Sequence, residues 1–210
     1  MDIKYCLSKI ADEVGIASDL LTFPDCEIAL ENVRVIMIDE APSLNPDNYF
    51  YSNHPKAHWV RTTLGLFKLA GFEFNSIREL LDIGIYITTS LKIPRNKSKE
   101  GRKPLTTAEI KEHLPILEKE IMLFSNLKVI MLMGGTSIKA FNYIVKAQTG
   151  KSLIPAGSIG NIRNNIYEWE DKRVFPCAMM GNQNILSDDY GSARDNIADS
   201  IRQMMEIIQK

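Results

Sequence analysis

The chain has 210 residues, 45% of them hydrophobic and 24% charged, with a formal net charge of −1. This is length and apolar content enough for a buried core, and the near-neutral balance excludes a protein that coats nucleic acid by charge alone, while leaving room for a local basic patch. Cys6, Cys26 and Cys177 form no C-x-x-C pair, no apolar run approaches the roughly 20 residues of a membrane span, and Met1-Asp2-Ile3-Lys4 has no signal-peptide pattern. A single monomeric domain over 1–210, in a reducing, cytoplasmic compartment and without a membrane anchor, is expected.

Ile3, Leu7, Ile10 and Val14 recur at helical spacing and Gly15 follows as a stop, so the chain is expected to open with an amphipathic helix that packs. Pro24 and Asp25 mark a connection into Val33-Arg34-Val35-Ile36-Met37-Ile38, a β-branched and apolar run that reads as a strand buried on both faces. It runs into Asp39-Glu40-Ala41-Pro42-Ser43. Residues 45–59 are polar and aromatic without period, and a connection of that length usually carries function. Within it His54 and His58 stand four apart, but a third metal ligand at useful spacing is missing, which favours ordinary surface histidines. Trp59 to Ala70 reads as a helix stopped by Gly71.

Residues 83–90 read as a second strand ending in Thr88-Thr89-Ser90. Lys92, Arg95, Lys97, Lys99, Arg102 and Lys103 then crowd one loop against the single acid Glu100, a composition suited either to clamping phosphates or to plain solvation. Thr106 and Glu109 have capping-box spacing, so a helix is expected from there to about Phe124. Leu127 to Met133 is a third buried strand. Gly134-Gly135-Thr136-Ser137 after it opens another helix, with small residues that let backbone amides approach an anion, although two glycines are a weak signal of a phosphate cradle. Residues 151–165 read as irregular, and Arg173 to Ala178 as a short fourth strand leading to Met180-Gly181-Asn182-Gln183-Asn184. Ile197, Ile201, Met204, Met205 and Ile208 form the apolar face of a closing helix.

Strands alternating with helices predict an α/β fold, a three-layer α/β/α arrangement around a four-stranded parallel sheet. Ligands of such sheets bind beyond the carboxyl ends of the strands, which makes Asp39 and Glu40 the first candidates for chemistry. The alternative is that both cap the turn after the strand.

The succession of motifs resembles the uracil-DNA glycosylase superfamily, most nearly its thermostable iron-sulfur branch. There the first strand ends in G-E-A-P-G, the second in Y-I-T-N-V-V-K-C-R-P-P, a loop reads N-R-x-P-T-x-E-E-I, and the third strand runs into L-G-A-T-A-A-K. The counterparts here are Asp39 to Ser43, Tyr86 to Lys92, Gly101 to Ile110 and Met133 to Lys139, in the same order over residues 33 to about 145. The departures are equally specific. Ile93 follows Lys92 where that branch has a cysteine, His113 stands at a later ligand position, and the N-terminal cysteine pair is reduced to Cys6. An iron-sulfur cluster normally needs four thiolates, so no cluster, metal or other cofactor is expected.

The resemblance implies cleavage of the N-glycosidic bond of uracil or a related deaminated base turned out of single- or double-stranded DNA. It puts Glu40 at the chemistry, with Asp39 beside it and Asn182 where relatives have a histidine. Base contacts then fall to Ala41, Pro42, Thr89, Gly181 and a stacking aromatic, Phe50 with Tyr51 and Trp59 as rivals. Phosphate contacts fall to Lys92, Arg95, Arg102, Gly135, Thr136 and Ser137. Thr89 stands where relatives read uracil with an asparagine, and one hydroxyl lacks a carboxamide's paired groups, so uracil selectivity does not carry over. The alternatives are an inactive nucleic-acid-binding member, or a small-molecule enzyme on the same fold.

Overall fold

A computed structural model of the chain describes residues 1–52, 54, 57–94, 105–180 and 185–210. Among these residues five strands form one sheet in the order β2-β1-β3-β5-β4. The strands are β1 (Val35–Asp39), β2 (Ile85–Thr89), β3 (Val129–Met133), β4 (Tyr167–Trp169) and β5 (Lys172–Cys177). Four of them are parallel, as expected from their uniformly apolar runs; β1, β2 and β3 are buried at every position.

The fifth strand corrects the expectation of four. β4 pairs antiparallel with β5 across a tight turn at Glu170, whose φ of 55° is left-handed. Tyr167 and Trp169 face inward and Glu168 outward, the alternation of a strand with one wet face. The preceding residues, read as irregular, also contain a short helix, α6 (Ile159–Ile162).

Helices cover both faces of the sheet. α1 (Ile3–Glu13), α4 (Thr107–Met122) and α5 (Gly135–Thr149) bury Leu7, Leu117 and Phe141 against Ile36, Ile38, Tyr86, Ile130 and Leu132. α2 (His58–Leu69), α3 (Ile77–Asp82) and α7 (Gly191–Ile208) bury Phe67, Leu80 and Ile201 against Val35, Met37, Ile87 and Met131. Alternate residues of each strand therefore serve opposite cores, which is why the strands show no polar face.

The capping box forms as its spacing predicts. The Glu109 amide donates to the Thr106 hydroxyl at 3.2 Å and the Thr106 amide to Glu109 Oε2 at 2.7 Å. β2 lies at the sheet edge, and Tyr51 covers it: its hydroxyl donates to the Ile87 carbonyl at 2.8 Å and accepts from the Ile87 amide at 3.0 Å. An edge whose backbone groups are already paired cannot template another strand there.

Candidate active site

Parallel register brings the ends of β1, β2, β3 and β5 to one edge of the sheet, with Asp39 opposite Thr89 and Met133 opposite Cys177. Beyond the ladder the ends are tied further. The Ser90 amide donates to the Asp39 carbonyl at 2.7 Å, the Leu91 amide to the Glu40 carbonyl at 2.9 Å, and the Gly134 amide to the Cys177 carbonyl at 2.8 Å. Gly134 has φ 95°, a left-handed turn that suits glycine and swings the chain from β3 directly into α5.

The two acids after β1 take different roles. Asp39 is 1% exposed, and its Oδ1 accepts the Glu40 amide at 2.7 Å. That bond fixes the backbone where the chain leaves β1. Glu40 is half-buried, and its Oε2 accepts a 2.7 Å bond from the Thr136 hydroxyl in the first turn of α5. Residues 96 positions apart thus join the ends of β1 and β3.

That bond changes the expectation for the turn after β3. The Thr136 hydroxyl is committed to Glu40, and Ser137, fully buried, donates its own to the Gly134 carbonyl at 2.8 Å. Only Gly135 of the three residues assigned to phosphate is exposed. The carboxylate of Glu40 occupies the neighbourhood where an external anion was expected.

Lys92 departs further. Assigned to phosphate from its place in a basic run, it is fully buried, and its Nζ donates to Glu120 Oε2 at 2.5 Å, Thr88 Oγ1 at 2.8 Å and the Thr89 carbonyl at 2.7 Å. Glu120, equally buried on α4, also accepts from the Tyr86 hydroxyl at 2.7 Å and the Thr88 hydroxyl at 2.8 Å. An ammonium enclosed in this way cannot reach a phosphate. Burial pulls the Lys92 pKa below its ordinary value, and Glu120 opposes that pull. Sequence reading missed Glu120, although a signal was present: it falls on the apolar stripe of α4 beside Ile116, Leu117 and Ile121.

The residues expected to line a base are mostly covered. Thr89 is buried, and its hydroxyl donates to the Leu91 carbonyl at 2.7 Å. Phe50 is 1% exposed, its ring 4.8 Å from Trp59 and 5.8 Å from Tyr49, so neighbouring side chains already pack it. Its rivals Tyr51 and Trp59 are engaged in the same cluster. Ala41 and Pro42 are buried at the end of β1. Arg95, Arg102, Gly181 and Asn182 lie outside the described residues. Two cavities, of about 700 and 540 Å³, open near Arg34, Gly84 and Lys128 and near Met1 and Glu27, at the opposite, amino ends of the strands. A third, of about 670 Å³, runs beside the β2 edge between Tyr51, Val60 and Ile77.

The thiols present do not fit an iron-sulfur cluster, which normally takes four: the chain has three, of which Cys6 is on α1 on one face of the sheet and Cys177 is at the end of β5 in the core of the other. Among the described residues no three His, Cys, Asp or Glu side chains are grouped to hold a metal ion. His113, set by resemblance at a ligand position, is a buried side chain of α4. No helix among the described residues is long and apolar enough to cross a membrane.

No curated protein is similar enough to the chain to count as a match. A family model described as the uracil DNA glycosylase superfamily matches residues 27–183, three-quarters of the chain, a span that holds β1 to β5 and the Glu40–Thr136 contact. A match over that much of the chain shows the family, and the chain belongs to the uracil DNA glycosylase superfamily.

Proposed function

We propose that the protein hydrolyses the N-glycosidic bond of a deaminated base, uracil or a related lesion, turned out of DNA. The observation that carries this reading is the position of Glu40: a half-buried carboxylate at the carboxyl end of β1, oriented by Thr136, in a chain of this superfamily. Bond cleavage leaves the electron pair on the departing base and positive charge on the sugar, while a water oxygen bonds to C1′ and gives up a proton. A fixed carboxylate serves both needs, offsetting the sugar charge and accepting the water proton. Stabilisation of the leaving base is assigned to Asn182, and contact with DNA phosphates to Arg95 and Arg102.

The test is an abasic-site cleavage assay on single-stranded and duplex oligonucleotides carrying uracil, hypoxanthine or xanthine. Abasic product from at least one lesion, reduced about 100-fold or more by Glu40→Gln, supports the reading. No product from any lesion, with Glu40→Gln indistinguishable, rejects it.

One observation favours the second reading, a nucleic-acid-binding member without excision activity. Thr89 is buried and its hydroxyl is committed to the Leu91 carbonyl. Salt-dependent DNA binding without abasic product would support that reading, and a small-molecule enzyme on the same fold would show neither.

A further inference from the structure

α5 is a 15-residue helix whose N-cap, Gly134, supplies no side-chain hydrogen bond and whose first turn contains no acid. The positive end of such a helix attracts an anion, and unsatisfied amides there seek an acceptor. Glu40 arrives from β1, and its Oε2 meets the Thr136 hydroxyl, two residues beyond the N-cap, at 2.7 Å.

The backbone of Glu40 is held just as closely. Its amide donates to Asp39 Oδ1 at 2.7 Å, and its carbonyl accepts from the Leu91 amide at 2.9 Å. Asp39, the segment after β2 and α5 therefore each contribute a constraint. The first two fix where the side chain begins, and the third bears on how its carboxylate is turned. Thr136 is itself set by the sharp turn at Gly134, which is tied to the Cys177 carbonyl at the end of β5.

Resting on the glycosylase reading, we infer that Thr136 is a positioning residue of the site, its hydroxyl at the start of α5 orienting the Glu40 carboxylate. A donor hydroxyl fixes the direction of the carboxylate that it bonds. The carboxylate so turned takes up the proton that water releases as its oxygen bonds to C1′.

The experiment compares Thr136→Val, which keeps the shape and removes the hydroxyl, with Thr136→Ser, which keeps the hydroxyl, in steady-state excision from the lesion that the wild-type protein prefers. Thr136→Val is expected to lower kcat about 10- to 100-fold with KM within about threefold, as loss of orientation does. Thr136→Ser is expected to stay within about threefold of wild type, and in a Glu40→Gln background Thr136→Val is expected to add no further loss. Thr136→Ala gives the same comparison if the valine variant does not fold. A wild-type kcat in both hydroxyl-free variants, equal losses in the serine and valine variants, or a full additional loss on Glu40→Gln overturns the inference and leaves the glycosylase reading standing. A wild-type protein that excises no base overturns both.

Discussion

Lys92 and Glu120, 28 positions apart, form an ion pair of 2.5 Å with neither side chain exposed, binding the loop after β2 to the last turn of α4. Removing one member of such a pair leaves an uncompensated charge in the core. Glu120→Gln and Lys92→Met are each expected to lower stability by about 3–5 kcal/mol. The double variant Lys92→Met/Glu120→Gln should recover part of that loss, because the neutral amide retains acceptors for Tyr86 and Thr88 while no charge remains buried. Urea denaturation of the three proteins measures both effects, and strictly additive losses would contradict the pairing.

His113 makes stability depend on pH. It is 2% exposed; burial first, and the nearby Lys92 charge as a smaller contribution, hold its pKa below the ordinary 6.5, with Glu112 acting in the opposite direction. Below pH 6.5 the unfolded chain therefore binds a proton that the folded chain resists, and stability falls as pH drops from 6.5 through the lowered value. His113→Gln should remove that part of the slope. Urea midpoints of the two proteins at about pH 7.5 and about pH 5 give the comparison.

Tyr51 closes the edge of the sheet with one hydroxyl that bonds both backbone groups of Ile87. Tyr51→Phe leaves those groups without their partner and is expected to cost about 1–3 kcal/mol. Faster hydrogen exchange confined to the Ile87 amide and its neighbours would locate the effect. An unchanged exchange pattern would show that Tyr51 contributes through its ring alone.

Gly84 sets the start of the sheet. Its φ is +85°, its carbonyl accepts the Arg34 and Val35 amides at 2.9 and 3.0 Å, and an added Cβ would lie 2.3 Å from the Asn32 carbonyl oxygen. Gly84→Ala is expected to destabilise by more than about 1 kcal/mol through backbone strain and that clash. Thermal unfolding measures the loss, and an alanine variant as stable as wild type would contradict the geometry.

Much of the architecture could be read locally. The strand expected over 33–38 is β1 at Val35–Asp39, that over 127–133 is β3 at Val129–Met133, and the capping box at Thr106 and Glu109 forms with both its bonds. These features depend on residues within one turn or one strand of each other, so a linear pattern carries them. β4 escaped because three residues and a turn at Glu170, without glycine or asparagine, leave almost no periodic signal. α3, six residues in a stretch given no element, escaped for the same reason.

The site divides along the same line. That a buried strand ends in two acids is visible in the order of residues 35–40, and so is the family resemblance of the four motifs. Which acid bonds Thr136, that Lys92 turns inward to Glu120 while it stands in a basic run, and that Ser137 bonds the carbonyl of Gly134 were decided only by tertiary structure. The reason is physical. A side chain's burial and charge state depend on partners brought to it by folding, 96 residues away for Glu40 and 28 for Lys92, and no local pattern of residues encodes that proximity.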